Sequence, residues 1–284
     1  MSVKIGIMMK KFLVLLGIIF CGMNGFAQNI RVATYNIRMG RANDGVNNWV
    51  NRKDKVNELI QYHDFDIMGT QEGFKDQLDD ILRLKDYAYT GGGRDDGKDA
   101  GEHSAIFYKK SRFKLLKSGN FWYRETPETP GKGWDATCCN RICSWARFRD
   151  NTTKKEFFVF NSHFDHQGVE ARKNSGILLV NKMKEIAGKL PVISMGDFNS
   201  TPETEQVRHL SNHYNDAFSA SVQKPYGPVG TFNAFKYDAP LNDRIDYIFV
   251  SDNITVLKYG ALTDSYHQKF PSDHLPVVAD VVVR

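Results

Sequence analysis

The sequence has little cysteine, and this scarcity limits the metal and disulfide chemistry that it supports. Four cysteines occur in 284 residues, and three of them, Cys138, Cys139 and Cys143, lie in one short segment. No second cluster has the spacing of zinc ligands, so we interpret these three cysteines as structural residues. Neighbouring cysteines rarely bridge each other without strain, so the expected pairing is a Cys139–Cys143 disulfide or none.

The sequence also has no hydrophobic run of membrane-spanning length. The unbroken apolar run from Phe12 to Cys21 is about half the roughly 20 residues that a spanning helix needs, which argues against a transmembrane anchor. Lysines precede this run and Gly25-Phe26-Ala27 follows it, a pattern that predicts a signal peptide cleaved after Ala27 and a secreted or periplasmic protein. Lipidation of Cys21 is disfavoured because the bulky Phe20 precedes it.

A large excess of basic residues is missing as well. The chain contains 38 Lys and Arg against 33 Asp and Glu. The predicted signal peptide carries three of these lysines and no acid, which leaves 35 basic against 33 acidic side chains. Proteins that bind duplex DNA nonspecifically usually present a basic face, so this balance disfavours a nucleic-acid partner.

No repeat and no low-complexity linker divides the chain, which indicates a single domain over residues 28–284. The long irregular segments 91–101, 124–140 and 223–243 are expected to be loops on one rim. Alternating or apolar runs predict strands, and apolar residues at helical spacing predict helices. The predicted strands are 30–37, 66–69, 104–108, 157–163, 191–196, 244–250, 254–261 and 276–283, and the predicted helices are 52–63, 75–84, 171–187 and one starting near 201.

The most informative motif follows the strand at 191–196, where an apolar run stops at Gly196. Side chains alternate along extended backbone, so Asp197 and Asn199 point the same way while Phe198 points into the core. A carboxylate and a carboxamide then face one pocket. The alternative is an Asx turn that leads into the helix near Thr201.

Six predicted strand ends each carry an acid, an amide or an imidazole. Buried charges without partners are costly, so groups that converge in this way need a cation or one another. Oxygen ligands without a cysteine cluster favour a hard ion, namely Mg²⁺, with Mn²⁺ as an alternative and Ca²⁺ less favoured. The residues are Asn36, Glu72, His163, Asp197 with Asn199, Asp246, and Asp273 with His274.

These motifs resemble those of the endonuclease/exonuclease/phosphatase superfamily, the metal-dependent phosphohydrolases that include DNase I and inositol-polyphosphate 5-phosphatases. The resemblance covers nearly the whole chain after residue 27. It implies an α/β fold, a four-layer αββα sandwich of two mixed, largely antiparallel β-sheets. The motifs, in the superfamily's order, are Thr34-Tyr35-Asn36, Gln71-Glu72, Asn161-Ser162-His163, Gly196-Asp197-Phe198-Asn199, Arg244-Ile245-Asp246-Tyr247 and Ser272-Asp273-His274.

The resemblance also implies a role for each matched residue. Glu72 would be the main metal ligand, assisted by Asn36, and Asp273 would support the metal or the neighbouring histidine. Asp246 would hold and polarise His274. That pair, together with Asp197, would position or deprotonate the attacking water.

On the substrate side, Asn199 would contact a phosphate oxygen. His163 would lie near the leaving group, paired with a glutamate just ahead of a central strand, where Glu102 stands. The plain alternative is that His163 is a core histidine with satisfied hydrogen bonds.

Five further residues are candidates for substrate binding. Arg94 and Arg172 have planar guanidinium groups that suit phosphate, although salt bridges to nearby acids are the alternative. Asn161 and His166 flank the histidine motif. Trp134 offers a ring for a sugar or lipid face, although aromatic residues are more often buried in packing.

The sequence therefore predicts a secreted, Mg²⁺-dependent phosphoric ester hydrolase in which water attacks phosphorus. The favoured substrate is a phosphomonoester or small phosphodiester of a sugar, inositol or lipid head group, and the expected oligomeric state is a monomer. A secreted DNase I-like endonuclease is the nearest alternative. A catalytically silent module that binds carbohydrate or lipid is the alternative from another class.

Overall fold

A computed structural model of the protein describes residues 29–284. The predicted signal peptide, including Cys21, lies outside the described residues, so export stays a prediction. Within residues 29–284 no helix is both long enough and apolar enough to cross a membrane.

Twelve strands and five α-helices make up the described part of the chain. The strands are β1 Ile30–Asn36, β2 Ile67–Gly73, β3 Tyr87–Thr90, β4 His103–Lys109, β5 Phe113–Trp122, β6 Ile142–Asp150, β7 Glu156–His163, β8 Val192–Asp197, β9 Asn215–Asp216, β10 Asp246–Val250, β11 Ile254–Ala261 and β12 Val277–Val283. The helices are α1 Trp49–His63, α2 Lys75–Ile81, α3 Val169–Ala187, α4 Glu205–Ser211 and α5 Ala217–Ala220, and a 3₁₀ turn spans Gly45–Asn47.

The strands form two six-stranded sheets with the orders β11-β12-β1-β2-β4-β3 and β5-β6-β7-β8-β10-β9. Each sheet contains one parallel pair, β1 with β2 and β7 with β8, and the other pairs are antiparallel. Three hydrophobic cores fill the described part of the chain. One lies between the sheets, and each sheet has one more between itself and the helices that cover it. This arrangement confirms the predicted four-layer αββα sandwich.

Alternation along the central strands explains the layering. In β7, Phe157 and Val159 belong to the core between the sheets, whereas Phe158 and Phe160 belong to the core under α3. A strand covered on both faces therefore reads as a continuous apolar run. Helix α3 completes its layer by burying one apolar stripe, which includes Leu179 and Met183.

Several element boundaries differ from those predicted. Strands β5 and β6 were not predicted, because the first carries exposed polar residues along much of its length and the second mixes arginines with apolar residues. Helix α2 ends at Ile81 rather than at 84, and β10 begins at Asp246 rather than at 244. Helix α4 begins at Glu205, four residues after the predicted start.

The cysteine pairing differs from both expectations. The structure joins Cys138 to Cys139 and leaves Cys143 free and buried. Cys143 lies in strand β6 and its side chain packs in the core under α3. The strand therefore holds its thiol away from the loop that carries the other two cysteines, and the predicted Cys139–Cys143 bridge is wrong.

Candidate active site

The topology brings the chemical groups to one rim of the sandwich. Parallel strands end at the same edge of a sheet, so the last residue of β1, Asn36, lies beside the end of β2 with Glu72. In the second sheet, the last residues of β7 and β8, His163 and Asp197, are directly paired. Strand β10 runs the other way and therefore contributes its first residue, Asp246, opposite Asp197.

Asp197 lies at the centre of the resulting cluster and is almost fully buried. Asn36 Nδ2 donates hydrogen bonds to Asp197 Oδ2 and to Glu72 Oε1, both at 3.0 Å, and so connects the two sheets. His163 Nε2 and His274 Nε2 lie 3.6 and 3.7 Å from Asp197 Oδ2. Burial, then the charge of Asp246, raises the pKa of Asp197 to about 7.

Asp246 and His274 form a buried pair in which His274 Nδ1 lies 2.9 Å from Asp246 Oδ2. Thr231 Oγ1 donates to the same carboxylate oxygen at 2.6 Å, which fixes its position. Burial lowers the pKa of His274, but the carboxylates of Asp246 and Asp197 outweigh that effect, and the pKa lies well above its ordinary value. The pair therefore holds a cationic imidazole with Nε2 aimed at Asp197.

His163 has the opposite surroundings. Its Nδ1 lies 4.0 Å from Glu102 Oε2, and Arg94 Nη1 binds that same carboxylate oxygen at 2.6 Å. Burial and the positive charges of Arg141 and Arg94 hold the pKa of His163 well below its ordinary value. Burial raises the pKa of Glu102 to about 7.

Arg141 is a site residue that the sequence reasoning missed. It is 5% exposed, lines the cleft, and contacts His166 Nδ1 through Nη2 at 2.8 Å. Among the described residues its buried Nη1 has no hydrogen-bond partner. Arg141 directly precedes β6, so the same strand-end reasoning would have found it had β6 been predicted.

Three more residues at the cleft were not predicted. Arg38 and Phe232 line it, while Thr231 holds Asp246 from behind. The Arg38 guanidinium lies within 4 Å of both Glu72 and Asp273, at 3.8 and 3.7 Å. The carboxylates of Glu72, in β2, and of Asp273, in the loop before β12, thus share one positive neighbour.

The donor chemistry fits a hard divalent ion. Carboxylates dominate the cluster, and Glu72 adopts a left-handed φ of 65°, a conformation that costs energy for a residue with a side chain. Burial raises the pKa of Glu72, but hydrogen bonds from Asn36, the charge of His274 and the Met39 amide outweigh it, so the pKa is low and the carboxylate is charged.

Two neighbouring sets of groups are candidates for holding the ion, and the predicted set is Asn36, Glu72 and Asp273. Asp197, Asp246 and His274 place one ligand atom each within 4.8 Å of one another. However, the hydrogen bond between Asp246 and His274 already engages two of those groups. Asn36, in the predicted set, turns Nδ2 rather than Oδ1 toward Glu72 and so donates to the carboxylates.

Other predicted site residues also lie in the cleft. Its volume is about 350 Å³. The lining includes Glu72, Arg94, Glu102, His163, His166, Asp197, Asn199, Asp273 and His274. Asn199 is held by a bond from its Nδ2 to the Phe164 carbonyl at 3.1 Å.

Three predicted substrate-binding residues do not reach the cleft. Asn161 is fully buried between the sheets, where it donates to the carbonyls of Thr70 and Ala105. Trp134 packs against the core under α3 instead of offering a free ring. Arg172 lies outside the cleft and lines a neighbouring groove.

The position of Asn161 differs from the predicted one for a geometric reason. It shares a strand face with His163, so both point between the sheets, but it lies two residues deeper. There its Oδ1 accepts a hydrogen bond from Gln71 at 2.7 Å. All of its hydrogen-bonding groups are used, so it joins the sheets rather than binding substrate.

Comparison with known proteins extends these observations. The model of the Endonuclease/Exonuclease/phosphatase family matches residues 33–274. A crystal structure of a protein of that family from Bacteroides thetaiotaomicron is 42% identical, with 90% of this chain and 98% of that chain covered and a TM-score of 0.86. An uncharacterized protein of Acanthamoeba polyphaga mimivirus is 27% identical over 250 residues, which cover 81% of this chain and 91% of the relative.

A second structure carries a more specific description. It is a mannosyl-6-phosphatase of Bacteroides thetaiotaomicron VPI-5482, 42% identical to this chain, with a TM-score of 0.85. The match covers 89% of this chain and 99% of that chain.

Proposed function

The chain belongs to the endonuclease/exonuclease/phosphatase family, and we propose that it is a divalent-metal-dependent phosphomonoesterase that acts on a phosphorylated sugar. Members of this family hydrolyse phosphoesters. The observation that carries the proposal is Arg141, which lines the same cleft as His274 and whose buried Nη1 has no hydrogen-bond partner among the described residues. An unpaired guanidinium donor is costly inside a protein, and a phosphate oxygen would satisfy it.

The size and charge of the cleft support a small phosphomonoester. A volume of about 350 Å³ is at the lower end of the range for small-molecule sites. Arg38, Arg94 and Arg141 line it beside four carboxylates, so the arginine donors together with a divalent ion held by carboxylates would suit a terminal phosphate dianion. The similarity to a mannosyl-6-phosphatase points to a hexose as the alcohol.

On the water side, the residues hold and move one proton. Asp246 and Thr231 fix the His274 ring, so its Nε2 points toward Asp197 Oδ2 at 3.7 Å. A water between these groups and phosphorus would give its proton to Asp197 as its oxygen attacks. Asn199 would bind a phosphate oxygen beside it.

On the leaving-group side, His163 would donate a proton to the sugar oxygen. Glu102 lies behind the ring, and Arg94 and Arg141 neighbour it. A bound phosphate dianion offsets the two guanidinium charges that hold the pKa of His163 down. Substrate binding therefore favours the protonated ring that the leaving alcohol needs.

We assign the cation to the first sheet, with Glu72 as its main ligand and Asn36 and Asp273 beside it. Asp197, Asp246 and His274 stay free for proton transfer in this assignment. When bound, the ion would neutralise charge on the phosphoryl oxygens. Mg²⁺ is the preferred choice because the donors are oxygens, with Mn²⁺ as a substitute.

Phosphate release from a panel of esters tests the proposal. The purified protein, freed of metal with EDTA, would be assayed with and without Mg²⁺ on hexose 6-phosphates, inositol phosphates, a phosphodiester and supercoiled plasmid. We expect metal-stimulated phosphate release from a hexose phosphate and no nicking. Nicking without phosphate release would favour the endonuclease alternative.

The binding-module alternative predicts a different result. A protein without catalysis would bind sugar or lipid but release no phosphate at any metal concentration. The presence of acid, imidazole and guanidinium groups together in one cleft favours catalysis instead.

We also propose that the protein is exported, on the basis of the lysines, apolar run and Gly25-Phe26-Ala27 near its start. N-terminal sequencing of protein recovered from the producing cell's envelope or medium tests this. A mature start at Gln28 is the expected result, and a chain that retains Met1 in the cytoplasm would contradict it.

A further inference from the structure

A second hollow adjoins the catalytic cleft and is larger. Its volume is about 510 Å³, and it lies beside the start of α3 and of α4. Asn199, Phe232 and Ile245 line both hollows, so the two share a border. We call this second hollow the side groove.

A third hollow adjoins the side groove. Lys173 and Glu205 line both, and their side chains form an ion pair at 3.1 Å where the two hollows meet. The third hollow has a volume of about 230 Å³ and lies between the same two helices. A monosaccharide phosphate would use the cleft alone, and the side groove beside it has room for a longer molecule.

Phe232 stands where the cleft meets the side groove. Its ring is 40% exposed and packs edge-on against His274, with the ring centroids 5.0 Å apart. The exposed face of this ring suits the apolar face of a sugar ring. The position beside His274 places such a sugar directly next to the reacting phosphate.

The lining of the side groove favours a neutral ligand rich in hydroxyl groups. Five uncharged polar residues contribute: Asn199, Ser200, Thr201, Thr204 and Gln206. Glu170, Glu205 and Asp243 outnumber the two bases, Arg172 and Lys173. Acids in excess repel a polyanion, so nucleic acid is disfavoured, whereas hydroxyl groups both donate to and accept from such side chains.

We propose that the side groove binds the remainder of an oligosaccharide whose terminal sugar carries the phosphate in the cleft. This rests on the proposed phosphatase function and names a longer substrate class for it. Arg172, which the sequence predicted as a phosphate ligand, lines the side groove and would contact the glycan there.

The experiment compares two substrates on the full-length protein with Mg²⁺: mannose 6-phosphate, and a mannotriose whose terminal residue carries a 6-phosphate. We expect kcat/KM for the trisaccharide to be higher by roughly tenfold, the equivalent of one or two hydrogen bonds. Binding of unphosphorylated mannotriose, measured by calorimetry, gives a readout that does not depend on turnover.

A matched pair of variants on helix α3 locates the effect. Lys173→Trp places a large ring in the side groove and should bring the ratio of the two kcat/KM values close to one and abolish mannotriose binding. Lys184→Trp adds the same bulk to an exposed position of the same helix that lines none of the three hollows, and should leave the ratio and the binding unchanged.

The outcomes separate this inference from the proposed function. Equal kcat/KM values with active wild-type protein, together with no mannotriose binding, overturn the groove and leave the phosphatase standing. Metal-stimulated release only from a 5′-phosphorylated oligonucleotide overturns the glycan in favour of nucleic acid. Phosphate release from none of these probes, with no mannotriose binding, refutes both.

Discussion

Two buried histidines flank Asp197 at nearly equal distance, yet their surroundings give them opposite properties. His274 lies among carboxylates, which hold its pKa well above the ordinary value. His163 lies beside Arg141 and Arg94, and burial together with these charges holds its pKa well below that value. The surroundings of His274 therefore favour a protonated imidazole. Those of His163 favour a neutral imidazole unless a negative charge binds nearby.

In the proposed mechanism this contrast would assign the two proton transfers to different histidines. The water side would need a fixed geometry before substrate binds, and the 2.9 Å hydrogen bond of the Asp246–His274 pair would supply it. The leaving-group side would need a proton only after the phosphate is bound. The charge of the bound phosphate would offset the guanidinium charges that hold the pKa of His163 down.

The largest expected effect is the loss of the fixed imidazole. His274→Ala should lower kcat for a hexose phosphate by roughly 10²–10⁴-fold, the usual scale for an acid–base group. Steady-state phosphate release with saturating Mg²⁺ measures it, and circular dichroism confirms the fold. A folded variant with a near-normal kcat would remove His274 from the mechanism.

The second prediction distinguishes the roles of His163 and His274 by comparing two substrates whose leaving groups differ in their need for a proton. His163→Ala should lower kcat for a hexose phosphate by roughly 10²-fold. The same variant should act nearly normally on p-nitrophenyl phosphate, because that leaving group departs without a proton. His274→Ala should be slow on both. Equal losses of His163→Ala on the two esters would place His163 outside leaving-group protonation.

The polar residues around the two histidines could be found from the sequence, because each follows or begins an apolar run that predicts a strand. Glu72, His163, Asp197 and His274 line the cleft, and Asn36 lies behind it, bonded to Asp197. Arg141 was missed because it directly follows the irregular segment 124–140, and Thr231 because it lies within the irregular segment 223–243. The folding of both segments depends on distant contacts. The location of Asn161 was predicted wrongly because the alternation of side chains along a strand tells which face of the sheet a residue lies on, but not how far it is from the cleft.

The fold was predictable for a similar reason. Strands such as β7 and β8 are covered on both sides and therefore read as apolar runs, whereas β5 lies at a sheet edge and reads as polar. Loop contacts escaped prediction. The bridge between Cys138 and Cys139 depends on the course of the segment before β6, which no local pattern fixes.

A third prediction tests whether the metal belongs to the first sheet, away from both histidines. Glu72→Gln should raise the Mg²⁺ concentration for half-maximal activity by at least roughly tenfold, within the range for a lost ligand contact. The KM for substrate at saturating Mg²⁺ should change little. Glu58→Gln, on the exposed side of α1, is the matched control. An unchanged Mg²⁺ titration would contradict the assignment of Glu72.

The smallest expected effect concerns Thr231, which fixes the position of the Asp246 carboxylate that holds His274. Thr231 Oγ1 donates to Asp246 Oδ2 and accepts from the backbone amides of Ile245 and Asp246. Thr231→Val keeps the shape but removes the hydroxyl, a loss of about 1 kcal/mol, which corresponds to a roughly three- to tenfold lower kcat. KM should be unchanged, because Thr231 does not line the cleft. The loss should be equal for hexose phosphate and p-nitrophenyl phosphate, since Thr231 acts through His274 and not through His163. A loss confined to the hexose phosphate would mean that the two sides of the cleft are not separate.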